Sequence, residues 1–432
     1  MSGARVHDSV PHTARPPRPR RGALLAGSVG NFVEWYEFGV YGYFATVIAA
    51  RFFTPVGGSE TEGLVRTYAS FALSFFFRPV GAALFGRLGD RIGRRPVLIL
   101  MIALMTGATT LIGVLPTHAT VGALAPWLLT FLRVVQGLSA GGEFGGAVSV
   151  MTEFAPPRRR GLYGSWQSFT VALGLLGGAG VAALLATVLT EGQLSDWGWR
   201  VPFLLTLPLG LVALGLRLRL RLEETPAFRH GGSRERPPGR EVARAVVLGA
   251  GRVMGWSAAG YTFLVVLPSY LQNTLHTGFR QALLATVLAN LGFAATIVPA
   301  GLLSDRIGRR PVLLTGAGLV VVLSVPLLNL LQDTETSHAV KGLALCGAGA
   351  VVGLMAGPGP AMLSEMFPTN VRHTGLGLAY ALSNAVFSGC AGLIITETMK
   401  RTGSVDIPAY YAAATCAVSA LALATLPDNR GS

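Results

Sequence analysis

The sequence predicts an all-α membrane protein: twelve transmembrane helices arranged as two pseudo-symmetric six-helix bundles. Three observations lead there. Hydrophobic residues make up 51% of the chain, charged residues 13%, and the mean hydropathy is +0.52, against roughly 25% charge in ordinary soluble domains. The apolar residues are gathered into about a dozen runs, each close to the roughly 20 residues that cross a bilayer as a helix. They are continuous rather than alternating, which excludes a barrel. Finally, Gly86-Arg-Leu-Gly-Asp90-Arg91-Ile-Gly93-Arg94-Arg95-Pro96 returns half a chain later as Gly301-Leu-Leu-Ser-Asp305-Arg306-Ile-Gly308-Arg309-Arg310-Pro311. Each copy reads as a tight, glycine-broken, arginine-rich turn between two long apolar runs.

In order, a Pro- and Arg-rich tail (1–21) with no cleavable signal precedes spans at 22–50, 64–86, 97–115, 122–150, 162–189 and 199–220. A polar linker (222–242) with Gly231-Gly232 and Pro237-Pro238 marks the boundary between halves. Spans at 243–271, 280–301, 312–331, 339–365, 375–399 and 407–427 complete the second half, and 428–432 form a short tail. The N-terminal half is therefore 22–221 and the C-terminal half 243–427. With the N-terminus in the cytoplasm, the arginines of the tail, the linker and the short loops (Arg91, Arg94, Arg95, Arg160, Arg306, Arg309, Arg310, Arg372) all fall on the cytoplasmic side. The positive-inside rule is satisfied with both termini cytoplasmic in a multi-pass cell-membrane protein. The net charge of +14 is then a set of topology signals, and nucleic acid is excluded as a partner. Cys346, Cys390 and Cys416 lie in apolar runs without metal or redox spacing and read as small packing residues.

A second repeat supports the halves. Glu153-Phe-Ala-Pro156-Pro-Arg-Arg-Arg160 and Glu365-Met-Phe-Pro368-Thr-Asn-Val-Arg372 share the spacing Glu-x-x-Pro-x-x-x-Arg, at nearly the offset of the first repeat. The two motifs together suggest a cytoplasmic latch in which Asp90 and Asp305 pair with arginines of facing loops. The plainer alternative is a set of solvated loop charges.

Ionisable residues inside the spans carry the functional argument. A charge at bilayer depth costs at least about 2.5–3.5 kcal/mol, so it faces a partner or a wet cavity. Span 1 contains Glu34 and Glu37, three residues apart and able to share a face. Glu34 lies about 12 residues, roughly 18 Å, into its helix. Span 2 carries Arg78, span 4 Arg133, Gln136 and Glu143, and span 7 Arg252. Burial favours the neutral form of a carboxylate and a nearby arginine the ionised form, so Glu34 or Glu37, with Arg133 or Arg78 as counter-charge, forms a switchable proton site. Trp35, Tyr36, Tyr41 and Trp166 are candidates to line a substrate cavity with Gln136, Glu143, Arg252, Gln167 and Asn384. Aromatics on an apolar helix are more often packing, and span amides also serve interhelical hydrogen bonds. No catalytic site, metal cluster or phosphate loop emerges, and neither cofactor nor metal is expected.

From Gly22 to Leu426 these features resemble the major facilitator superfamily, whose cytoplasmic motif the repeated loop matches. Within it, Gly30-Asn-Phe-Val-Glu-Trp-Tyr-Glu-Phe-Gly-Val-Tyr-Gly42, Phe-Arg78-Pro-Val-Gly, Arg133-Val-Val-Gln136-Gly-Leu-Ser-Ala-Gly141-Gly-Glu143 and Arg160-Gly-Leu-Tyr-Gly-Ser are similar to the metabolite:proton symporters. That subfamily takes up proline, glycine betaine, 2-oxoglutarate, citrate, shikimate and related small polar compounds. The resemblance implies alternating access between two bundles, with protons, a small carboxylate or zwitterion and the lipid bilayer as partners and a functional monomer. Two departures stand out. The chain stops soon after span 12, without the coiled-coil tail of osmosensing members, and Glu37 stands where aspartate is common. A proton-linked exporter and a non-transporting metabolite receptor are the competing readings.

Overall fold

The computed structural model describes residues 21–55, 58–141, 144, 148, 151–152, 155–156, 158–219, 238–368 and 371–426. The predicted tails, most of the linker, and Glu143 and Glu153 lie outside the described residues, as do the side chains of Asp90, Arg94 and Arg95. Among the described residues there are twelve helical rods and no strand. In the first half they are α1 (Arg21–Tyr43, extended by Ala45–Ile48 and Ala49–Phe53), α2 (Glu60–Ile92), α3 (Arg94–Val114), α4 (Leu124–Ala140), α5 (Arg160–Val188) and α6 (Glu191–Arg219). In the second they are α7 (Gly239–Tyr261, extended by Thr262–Val266 and Leu267–Asn273), α8 (Phe279–Ile307), α9 (Arg309–Gln332), α10 (His338–Met366), α11 (Arg372–Ser383, Asn384–Gly389, Ala391–Thr402) and α12 (Ile407–Ala424). Nine of these, among the described residues, are long and apolar enough to cross a membrane. α7 starts at Gly239, so the last residues assigned to the linker are already helical.

Burial is inverted relative to a water-soluble protein. Trp127, Phe131, Leu211, Val247, Val322, Leu343 and Leu421 are more than half exposed, while Glu37, Arg133, Gln136 and Asn290 are at most 1% exposed. Lipid as the surrounding solvent accounts for both: apolar side chains face outward at no cost, and polar ones gather where they can pair.

Packing repeats between the halves. α2 crosses α4 as α8 crosses α10, α3 lies on α6 as α9 lies on α12, and α1 on α5 as α7 on α11. Glycine makes the first of these crossings possible. A Cβ on Gly137 would stand 1.9 Å from the Ser74 carbonyl oxygen, and one on Gly349 would stand 1.8 Å from that of Ala289. The helix backbones therefore touch, as in other small-residue membrane contacts.

The repeated motif is mostly helix rather than turn. Gly86–Ile92 and Gly301–Ile307 close α2 and α8, and the reversal falls to Gly93 (φ 93°) and Gly308 (φ 97°). Such φ values are open to glycine and costly for any other residue, which explains why glycine recurs there.

The halves meet along the whole depth of the molecule. Ser168 Oγ donates to the Ala356 carbonyl (2.8 Å) near the middle. At the end away from the arginines, the Tyr68 hydroxyl bonds Ser269 Oγ (2.7 Å) and Thr46 Oγ1 donates to Gln272 (2.8 Å). At the arginine-rich end Asp305 closes the gap, as described next. The halves are thus in contact near the middle and at both ends.

Candidate functional site

α1 is fixed to α5 before it presents any charge. Asn31 Nδ2 donates to the Gln167 carbonyl (3.1 Å) and to Thr170 Oγ1 (2.6 Å), and a Cβ on Gly174 would lie 2.5 Å from the Phe32 carbonyl oxygen. With the helix so rotated, Glu34 and Glu37 point into the first half, towards α2, α3 and α4.

Each acid finds a different partner. Glu34 pairs directly with Arg78 (3.4 Å), both side chains under a tenth exposed. The Arg78 guanidinium also stacks over Phe75 (4.3 Å) and Phe38 (4.4 Å) and approaches Trp35 (5.7 Å), so cation–π attraction offsets part of its desolvation. Arg133 is fully buried over Tyr41 (4.1 Å) and Phe71 (4.8 Å). It donates to Gln136 Oε1 (2.7 Å) and Ser74 Oγ (3.2 Å), and among the described residues no carboxylate pairs with it. Gln136 Nε2 donates to Thr109 Oγ1 (2.5 Å), and Thr109 Oγ1 donates to Glu37 Oε2 (2.8 Å). Glu37 therefore reaches Arg133 only through an amide and a hydroxyl. The open choice of counter-charge resolves into one direct pair and one relayed one.

A cavity of about 40 Å³ lies between the halves, walled by Trp35 of α1, Gln167 of α5, Trp256 and Tyr261 of α7, and Tyr380 and Asn384 of α11, among others. Among the described residues no charged side chain lines it. Two of its walls are π-type turns, Thr262–Val266 and Asn384–Gly389; such widened turns recur at functional sites. Asn384 is engaged within its own helix, donating to the Tyr380 carbonyl (3.0 Å) and accepting from Ser388 (2.9 Å). By contrast, Gln167 Nε2, Ser257 Oγ and the Tyr261 hydroxyl are buried without a hydrogen-bond partner among the described residues. Three unsatisfied donors converging on one cavity are unusual.

Several expected wall residues sit elsewhere. The Tyr36 hydroxyl donates to the Pro202 carbonyl (3.1 Å), inside the first half, and Tyr41 bonds Ser70 (2.6 Å) beneath Arg133. Trp166 is 45% exposed on the outer face of α5, its Nε1 donating to Ser28 (2.9 Å). Arg252 donates to the Ala422 carbonyl (3.1 Å) and to Thr425 (2.9 Å), tying α7 to α12. Gln136 serves the Glu37–Arg133 relay. Of the expected wall, Trp35, Gln167 and Asn384 face the cavity. Tyr36, Tyr41, Trp166, Arg252 and Gln136 lie away from it, because an apolar helix carries no mark of which face looks inward, and Glu143 lies outside the described residues.

At the arginine-rich end, Asp305 accepts from the backbone N–H groups of Gly161 and Leu162 (2.8 Å each), the first turn of α5. This differs from the expected pairing with facing arginines. A helix N-terminus offers unpaired N–H groups and the positive end of its dipole, and so takes the carboxylate itself. Arg309 braces Asp305 (2.7 Å) from its own half and reaches Glu365 (3.2 Å), joining the two repeated motifs. Arg372 Nε donates to the Phe367 carbonyl (3.2 Å). Arg91, Arg160 and Arg306 are exposed and Arg310 half-buried.

The sequence reading missed Thr109, Ser74, Trp256, Ser257, Tyr261 and Tyr380. The structure buries Arg217 in the last turn of α6, close against Gly30. Serine and threonine give little signal in such spans because their hydroxyls bond back to their own helix, as Ser74 does to the Phe71 carbonyl (2.7 Å).

Comparison with known proteins bears on this architecture. A family model described as Major Facilitator Superfamily matches residues 28–387 and 246–431. The chain is 35% identical to the proline/betaine transporter of Escherichia coli (strain K12), over 95% of this chain and 84% of that one. It is 36% identical to the alpha-ketoglutarate permease of the same strain, over 88% and 87%. Among solved structures, the D-xylose-proton symporter shares the fold at a TM-score of 0.77, with 19% identity over 95% of this chain and 99% of that one.

Proposed function

We propose that this chain, which belongs to the Major Facilitator Superfamily and is a membrane transporter rather than an enzyme, couples proton entry to uptake of a small zwitterion by alternating access. The observation that carries this reading is the pair of buried acids in the first half, each tied to its own arginine, beside a cavity shared with the second half. A proton that settles on either acid changes the charge next to that cavity. The halves, divided between α6 and α7, then rock about it.

The cavity wall supports a zwitterion over a dicarboxylate. It presents aromatic planes (Trp35, Trp256, Tyr261, Tyr380) suited to an ammonium or quaternary ammonium. Three unpaired donors are suited to one carboxylate, and among the described residues no wall cation is present to hold a second. At about 40 Å³ the cavity has room for little more than water, so substrate enters when the halves part. Relatives named for proline and betaine fit this chemistry better than one named for alpha-ketoglutarate. We place the arginine-rich end in the cytoplasm of a cell or inner membrane and the working unit as a monomer.

Uptake into proteoliposomes under an acid-outside gradient tests the reading. Proline or glycine betaine will accumulate uphill and a protonophore will abolish it. Accumulation of 2-oxoglutarate alone overturns the substrate class, gradient-driven efflux means an exporter, and binding without flux means a receptor. Gln167→Leu and Tyr261→Phe are expected to raise KM about tenfold, since a hydrogen bond to a charged group is worth about 1.5–3 kcal/mol, with kcat changed less. Unaltered KM in both would remove the donors from the substrate site.

Asp305→Asn tests the latch. Losing the charge weakens two bonds to the start of α5 and the brace to Arg309, so the end they close opens more often. In a background free of native cysteines, Ser165→Cys, buried where α5 meets Gly301, is expected to react with maleimide about tenfold faster once Asp305 is asparagine. Equal labelling would reduce the motif to a topology signal.

A further inference from the structure

Glu37 is wholly buried, yet its Oε1 has no hydrogen-bond partner among protein groups. The same is true of Thr106 Oγ1, on a residue 6% exposed. Both residues line one small cavity of about 20 Å³ together with Glu34. A polar cavity above about 10–15 Å³ holds a water that needs two to four polar partners, and two orphaned oxygens beside a second carboxylate supply them. We propose that this cavity is a water site through which a proton passes between Glu37 and Glu34, with Thr106 and Thr109 as its positioning residues. The inference rests on the proton-coupled reading above and adds the route by which the two acids communicate.

Thr109 decides which oxygen takes part. By donating to Oε2 it leaves Oε1, which has no partner among the described residues, as the oxygen open to a water in the cavity that Glu37 lines. The transfer balances: neutral Glu37 gives its proton from Oε1 to the water, the water gives one of its own to the Glu34 carboxylate, and Glu37 is left ionised. Neutral Glu34 then loses its ion pair with Arg78, whose guanidinium lies near Trp35 in the wall of the central cavity. A proton on Glu37 is thereby felt at the substrate site. Among the described residues, the charged groups around the pair come from four helices. α1 contributes the two glutamates, α2 Arg78, and α4 Arg133 through Gln136. α3 faces the cavity with Met101, Ile102, Met105 and Thr106, and α6 with Ala213, while Arg217 of α6 lies against Gly30 nearby.

Infrared difference spectra of the full chain in vesicles, recorded between acid and alkaline buffer and during transfer to D2O, test this without a substrate. Glu37→Gln and Glu34→Gln assign the two buried carboxyl bands. Thr106→Val keeps the shape and removes the water's anchor; it is expected to slow deuterium exchange of the Glu37 band about tenfold, the worth of one hydrogen bond. Thr106→Ser is expected to restore exchange to within about twofold of the parent. Thr109→Val is expected to move the Glu37 band, because the carboxyl group is no longer held by Oε2. A titrating Glu37 band that exchanges at the parent rate in Thr106→Val overturns the water route while leaving proton coupling intact. If Glu37→Gln removes no titrating band, the coupling reading itself falls.

Discussion

Glu37→Gln will abolish uphill accumulation of substrate while substrate exchange across the membrane continues. Glutamine keeps the shape of the side chain and can still accept from Thr109 Oγ1, so the α1–α3–α4 contact survives. It cannot bind and release a proton, so the gradient loses its grip on the cycle. One proton per substrate supports about a tenfold concentration ratio per pH unit of gradient, and in the variant that ratio is expected to fall to one. Exchange needs only the rocking of loaded halves and is expected within about threefold of the parent, since a lost charge-assisted hydrogen bond is the main disturbance. Thermal stability is expected to hold or rise, because replacing a buried charge that has no direct ion-pair partner relieves desolvation. Equal loss of exchange and accumulation would make Glu37 a structural residue. Full uphill uptake in Glu37→Gln and Glu34→Gln combined would remove the proton site from the first half.

Gly137→Val will prevent stable folding, and Gly349→Val will do the same in the second half. Valine at either position drives a methyl-bearing carbon into a backbone carbonyl on the facing helix, at 1.9 Å and 1.8 Å respectively. Neither helix can yield by rotating a side chain, so α2 and α4, or α8 and α10, must separate along their length. Overpacking of this kind costs about 3 kcal/mol or more. In the first half the separation also pulls Ser74 from Arg133, leaving a buried guanidinium short of partners. Gly180→Val provides the control, since a Cβ there meets nothing within 4 Å. Folded yield after solubilisation and the temperature of aggregation are the measurements; parent-like values in Gly137→Val would mean that the α2–α4 contact is looser than described.

Much of the architecture was legible because membrane constraints act along the chain. Apolar runs announced the rods, arginines announced one end, and the repeat around Gly93 and Gly308 announced the halves. Two local features misled. The arginine-rich motif read as a turn because glycines punctuate it, but Gly86 and Gly301 serve helix packing or exposed surface, and only the positive-φ glycine reverses the chain. Asp305 read as an arginine partner because arginines surround it, but a helix start in the other half competes for the same carboxylate and offers two donors at once.

By itself, then, the sequence determined the helices, their pairing into halves and the presence of acids and bases within the apolar helices, since each of these follows from hydropathy, charge and spacing read in one dimension. The tertiary structure decided which acid met which base. It set Glu34 on Arg78, held Glu37 from Arg133 by one amide and one hydroxyl, and lined the central cavity, among the described residues, with aromatic and uncharged side chains. The reason is rotational. A helix apolar on every side has no preferred inward face, and its rotation is settled only where glycines such as Gly137 and Gly174 let another backbone come close.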